Sequence, residues 1–201
     1  MRITDFKKIG KSSKYKVFID DEFWAILYDE TIITYKLNKQ EEYEQEFLNA
    51  VLMEGEKKLA LNGALKLLSL FSKTEKELAD YLKIKTYSED TINYCLQKLK
   101  EFNYLNDEFY AKNFINAKKK TKGKKAIEYE LKLKGVSDEI IKKTLSEMIE
   151  NQQDDVLNLA RKFIKNKDND LKLKEKLFRH LASKGFDYDE INFAINEVLK
   201  K

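Results

Sequence analysis

Ile127-Glu128-Tyr129-Glu130-Leu131-Lys132-Leu133-Lys134-Gly135-Val136-Ser137-Asp138-Glu139-Ile140-Ile141 is the stretch on which the fold turns. Ile127 and Leu131 stand one helical turn apart, so a helix with a single apolar stripe leads into the glycine. Gly135 ends that helix, because glycine takes the left-handed conformation without a Cβ clash. Ser137 then caps a second helix through its hydroxyl oxygen. Asp138 and Glu139 follow in the first turn, where negative charge opposes the positive helix end. The stretch therefore reads as helix, tight turn, helix.

The same punctuation occurs in two more places. Sliding the sequence against itself by 49 or 50 residues brings Leu78, Leu82, Ile92, Leu96 and Leu99 onto Ile127, Leu131, Ile141, Leu145 and Met148. These fall in turn on Leu177, Leu181, Ile191, Ile195 and Val198, and all fifteen are apolar. Lys184-Gly185-Phe186-Asp187 repeats the turn, and Lys85-Thr86-Tyr87-Ser88 is its degenerate first copy. Upstream, Ala64 with Leu67, Ala111 with Phe114 and Ala160 with Phe163 supply a first helix to each unit. Asn106-Asp107 and Asp155 are the expected caps of the second and third of these. Units this small cannot bury an apolar face alone, so they are expected to stack into an elongated, curved array. The expected repeats are 57–106, 107–154 and 155–201.

Residues 1–56 follow another pattern. Val, Ile, Phe, Tyr and Trp cluster in Tyr15–Ile19, Phe23–Tyr28 and Thr31–Tyr35, which reads as short strands, with Asp20-Asp21-Glu22 turning the chain between the first two. From Lys39 onward Phe47, Val51 and Leu52 at helical spacing begin a connecting helix. The expected fold class is thus mainly α: three tandem three-helix repeats preceded by a small β-rich module.

Composition agrees with this and excludes several function classes. Of 201 residues, 42% are hydrophobic and 12% aromatic, enough for a real core, and the absence of proline with 37% charged residues favours helices. No run approaches the roughly 20 apolar residues of a membrane-spanning helix, and no apolar stretch of signal-peptide length follows Met1-Arg2, so a cytoplasmic protein without a membrane partner is expected. One cysteine and one histidine leave neither an internal disulfide nor a Cys/His zinc set, so no metal or other cofactor is expected. The net charge of +4 is unevenly spread: residues 1–56 hold eight Lys/Arg against twelve Asp/Glu, residues 57–201 hold 31 against 23. A basic C-terminal part points to an anionic partner, either nucleic acid or an acidic protein surface.

Individual motifs carry little catalytic chemistry. Gly10-Lys11-Ser12 looks like the end of a phosphate-binding loop, but Asp5 stands where the earlier glycine is needed and a strand follows. His180 aligns with Tyr81 and Glu130, a position tolerant of polar types and so a solvated helix face. Cys95 aligns with Thr144 and Ala194, which reads as a small core-side residue. Capping accounts for the acids of Asp187-Tyr188-Asp189. The aromatic stripe Phe102, Tyr104, Phe109, Tyr110 and Phe114 reads as core, with base stacking as the alternative. The densest positive charge is Lys118, Lys119, Lys120, Lys122, Lys124, Lys125, Lys132 and Lys134, against only Glu128 and Glu130. It brackets Gly123, which aligns with the capping residue Thr74. Backbone N–H groups and ammonium groups are therefore expected to converge there on an anion or an acidic loop.

Taken together, Leu105-Asn106-Asp107 followed by Ala111, Lys122-Gly123 ahead of Ile127 and Leu131, Lys134-Gly135-Val136 and Lys184-Gly185-Phe186 make residues 57–201 resemble the RecX family of recombination regulators. The N-terminal strands look like the extension seen in some members. The resemblance implies a monomeric, non-enzymatic protein that binds the RecA recombinase filament on DNA along its helical groove. There it restrains ATP hydrolysis, strand exchange and the co-protease activity that triggers the SOS response. Some members also touch DNA. The departures are Thr86 in place of glycine, Lys124 where the family usually has proline after Lys-Gly, and lysine at basic positions often filled by arginine. Lysine offers a point charge instead of a bidentate fork. Two rival readings remain: a direct nucleic-acid binder using helix-turn-helix-like repeats, and an enzyme built on scattered carboxylates.

Overall fold

Alternation of apolar and polar residues builds the N-terminal sheet, and two of its three strands are those expected. The structure, a computed structural model, describes residues 1–165 and 172–199. Strands β1 (Ile3–Lys8), β2 (Lys14–Ile19) and β3 (Glu22–Tyr28) pair antiparallel in the order β1-β2-β3. Thr31–Thr34, expected within a third strand, lies in helix α1 (Asp29–Thr34) instead. Asp29 and Glu30 fill its first turn, where they suit the positive helix end, and this context overrides the β preference of Thr31, Ile32 and Ile33. The missing strand is β1, whose apolar pattern is cut short by Lys7 and Lys8.

Val17, Ile19, Ala25 and Leu27 bury one face of the sheet together with Leu48 and Val51 of helix α2 (Gln45–Leu70). Gly55 permits the approach, since a Cβ there would lie 2.3 Å from Leu27 Cδ2. α2 runs unbroken for 26 residues, so the connecting helix and the first helix of the first repeat are one element. It is followed by α3 (Glu75–Ile84), α4 (Glu89–Glu101), α5 (Asp107–Lys118), α6 (Lys124–Leu133), α7 (Asp138–Met148), α8 (Gln153–Ile164), α9 (Leu173–Ser183) and α10 (Tyr188–Leu199). No described helix is long and apolar enough to cross a membrane.

The chain divides into two units, residues 1–72 with 78–105, and residues 73–77 with 106–201. In the first unit a second core cluster joins Ala60 and Ala64 of α2 to Leu78, Leu82, Ile92, Cys95 and Leu99. The other unit holds one cluster around Ile127, Leu131 and Ile141 and another around Leu177, Leu181 and Ile191. Within each three-helix repeat the first helix packs on the third: α2 on α4, α5 on α7 and α8 on α10. Ala64, Ala111 and Ala160 are fully buried on the first helices, where a large side chain would hold the pair apart.

The turns follow the sequence pattern closely. Gly135 and Gly185 both have φ of +84°, and Thr86 takes the same left-handed region at +62°. Ser88, Ser137 and Asn106 accept N-terminal amides of α4, α7 and α5, and Asp187 and Glu190 exchange reciprocal bonds of 2.9 Å at α10. Asp155 is not a cap: α8 begins two residues earlier, after Gln152. The aromatic stripe also departs from the core reading. Phe102, Tyr104 and Phe109 are 66%, 62% and 64% exposed, because Leu105, Ala111 and Ile115 take the inward positions. Tyr110 and Phe114 are half-buried and stack at 6.3 Å.

Candidate partner-binding surface

The loop between α5 and α6 is held by residues far away in sequence. Gln152 is 1% exposed, donates its side-chain amide to the carbonyls of Lys119 (2.8 Å) and Lys122 (3.0 Å), and accepts the Lys124 N–H at 3.0 Å. Gly123 N–H donates to the Lys184 carbonyl at 2.9 Å. Two of the amides expected to greet an anion at the start of α6, those of Gly123 and Lys124, are thus consumed inside the protein. The start of α3 is closed in the same way. Thr74 Oγ1 donates to the Lys134 carbonyl at 2.6 Å, and Glu75 N–H donates to Asp107 Oδ1 at 2.9 Å.

The eight lysines separate into two sets. Lys118 ends α5 with its ammonium 6.0 Å from the Phe114 ring centre. Lys119 and Lys120 follow in the loop, and Lys124 and Lys125 open α6. Among the described residues, Lys118, Lys119, Lys120, Lys124 and Lys125 have no ion-pair partner. The other three are tied up. Lys122 pairs with Glu130, Lys132 with Glu128 (2.8 Å) and Asp138 (3.1 Å), and Lys134 with Glu77 (2.8 Å). Hydrogen bonding to Glu128 and to Glu77 pushes the pKa of Lys132 and of Lys134 up, respectively. Lys132 and Lys134 also sit at the far end of α6, about 15 Å from Gly123 along the helix axis.

The charge at the start of α6 runs against helix stability. Every other helix from α3 to α10 carries Asp or Glu in its first turn, whereas α6 has none and opens on Lys124-Lys125. A cation at a helix N-terminus costs about 0.3–1 kcal/mol relative to the favourable sign. Local rules broken at one place mark sites kept for something other than folding. Unpaired lysines at positions 118–120, 124 and 125 therefore form the strongest candidate surface for an anionic partner.

The other motifs have structural roles. Gly10-Lys11-Ser12 makes the turn between β1 and β2, with Ser12 Oγ donating to the Ile9 carbonyl at 2.6 Å, and no helix N-terminus follows. His180 stacks on Phe163 at 4.5 Å between ring centres. Cys95 is fully buried, and burial pushes its thiol up to about 11, which leaves almost no thiolate at neutral pH.

Comparison with known proteins gives a consistent result. Family models described as the first, second and third three-helix domains of RecX match residues 60–99, 106–145 and 150–195. A regulatory protein RecX of Caldanaerobacter subterraneus subsp. tengcongensis is 36% identical over 197 residues, covering 98% of this chain and 99% of the relative. One of Clostridium perfringens is 36% identical over 191 residues, covering 92% and 90%. Among solved structures, RecX from Lactobacillus salivarius superposes with a TM-score of 0.65 at 30% identity, over 71% of this chain and 96% of that one. A second crystal structure of regulatory protein RecX reaches a TM-score of 0.71 at 22% identity over 96% and 98% of the two chains, a likeness of fold.

Proposed function

The chain belongs to the RecX family of regulatory proteins, and from that premise we propose that it binds the RecA recombinase filament on DNA and restrains its ATP hydrolysis, strand exchange and co-protease activity. It does so in the cytoplasm, as a monomer, by occupying a surface and without chemistry of its own. The observation that carries the contact surface is the acid-free first turn of α6, where Lys124 and Lys125 stand beside Lys118, Lys119 and Lys120. A filament of protein and DNA is a polyanionic partner, and exposed ammonium groups attract it at long range while short contacts fix the register. Lys122, Lys132 and Lys134 serve this surface indirectly, through ion pairs that hold α6 and its neighbours in place. DNA-stimulated ATP hydrolysis by the cognate RecA, titrated with this protein, tests the reading. Inhibition is expected. Tight binding to bare duplex with no effect on the recombinase would favour direct nucleic-acid binding by the helix-turn-helix-like repeats instead.

A further inference from the structure

The solvent-facing side of the N-terminal sheet carries a pattern that filament binding through α6 does not use. Residues 6–19 contain Lys7, Lys8, Lys11, Lys14 and Lys16 and no acid, inside a module where acids outnumber bases by twelve to eight. Cross-strand register sets Lys7 opposite Lys16 and Lys16 opposite Ile26, Asp5 opposite Phe18 and Phe18 opposite Phe23, and Lys14 opposite Tyr28. Directly opposed residues share a face, and this one is turned away from the buried pair Val17 and Ala25.

None of those side chains is buried, and Phe23 is 56% exposed. The Lys7 ammonium lies 4.6 Å from the centre of the Phe18 ring and that of Lys14 lies 5.2 Å from Tyr28. Phe18 and Phe23 meet edge to face at 6.1 Å. Asp5, the one acid in these rows, is engaged by Lys39 at 3.0 Å and more loosely by Lys7 at 4.0 Å. Among the described residues Lys16 has no ion-pair partner.

We infer that this face docks single-stranded nucleic acid, with the lysines taking phosphates and the rings of Phe18, Phe23 and Tyr28 taking bases. The choice of occupant follows from the interleaving. An acidic peptide would satisfy the lysines and leave the rings idle, and a duplex keeps its base faces stacked inside. An unpaired strand presents charge and planar apolar surface together, which is what alternating Lys and aromatic residues on an open sheet match. The sheet and the α6 lysines belong to different units of the chain, and docking at the sheet needs no recombinase.

The test is fluorescence anisotropy of a labelled oligo-dT with the full chain, without recombinase. Phe23→Ala removes an exposed ring, and Lys7→Ala with Lys16→Ala removes two exposed charges, so unchanged melting curves are expected of both variants. Phe23→Ala should weaken binding roughly fivefold or more. The double lysine variant should flatten the salt dependence by about 1.4 in the log–log slope. An abasic strand of equal length should bind wild type and Phe23→Ala alike. Wild-type affinity in both folded variants, no binding by the wild type, or competition by polyglutamate as strong as that by oligo-dT would each overturn the assignment.

Discussion

A Cβ on Gly123 would lie 2.2 Å from the carbonyl oxygen of Gly185. The loop entering α6 and the turn entering α10 therefore touch backbone to backbone, and the reverse also holds: a Cβ on Gly185 would lie 2.4 Å from the backbone N of Ala126. The earlier joint has the same form, with a Cβ on Gly135 meeting Lys76 Cβ at 2.4 Å. Glycine in the Lys-Gly turns thus serves two ends. It provides the left-handed φ, and it clears space for the start of the preceding repeat's second helix.

Gly185→Ala and Gly123→Ala should each cost about 2 kcal/mol or more, the first through both strain and contact, the second through contact alone. Urea melts read this directly. Thr86→Gly is the control. Thr86 has φ of +62°, but its side chain is exposed, so glycine there should leave stability equal or raise it by about 1 kcal/mol. Unchanged midpoints for both glycine variants would mean that the two segments do not meet.

Gln152→Ala removes three hydrogen bonds at once and leaves the Lys119 and Lys122 carbonyls and the Lys124 N–H without that partner. A loss of about 2–3 kcal/mol is expected. Gln152→Glu is more informative. A carboxylate accepts from Lys124 N–H but cannot donate to carbonyls, so that variant should be weakened at neutral pH and regain stability as pH falls and the carboxyl becomes a donor. A pH-independent deficit in Gln152→Glu would contradict the donor role.

Acid stability should depend on Glu77. Burial raises its pKa, but the hydrogen bonds from Lys134 and the Thr74 N–H, with the charges of Lys134 and Lys73, outweigh it and hold the carboxyl below its ordinary value of 4.5. A depressed carboxyl stabilises the fold above its unfolded pKa and loses that contribution as pH falls through the folded one. Wild-type stability should therefore begin to drop near pH 4.5, and Glu77→Gln should drop less steeply over the same range. Equal slopes in the two proteins would show that the Glu77–Lys134 pair is open in solution.

Much of the fold is legible in the sequence because its signals are local. The apolar spacing of Ile127 and Leu131, the glycine eight residues after Ile127 and the caps at Ser88, Ser137 and Asp187 all act within a turn or two of helix. What was not legible depends on distant partners. Gln152 shows nothing in sequence that marks it as the plug of a loop some 30 residues earlier. The ion pairs of Lys122, Lys132 and Lys134 look, in sequence, like any other lysines of the run. Phe102, Tyr104 and Phe109 have core-like chemistry and lie outside because smaller neighbours fill the inward positions. One clue to the candidate surface was visible and easily passed over: among the described helices, α6 alone begins without an acid.

The most direct measurement of the central claim is DNA-stimulated ATP hydrolysis by the cognate RecA, titrated with wild-type protein and with variants that remove separate sets of lysines. Wild type should inhibit, less so as salt rises, since the contact is electrostatic. Lys120→Ala, Lys124→Ala and Lys125→Ala combined should weaken inhibition by roughly tenfold or more while the melting temperature holds or rises, because cations leave a helix N-terminus. Lys122→Ala should lower the melting temperature and affect inhibition less. Full inhibition by the folded triple variant, or no inhibition by the wild type at any salt concentration, would contradict the account.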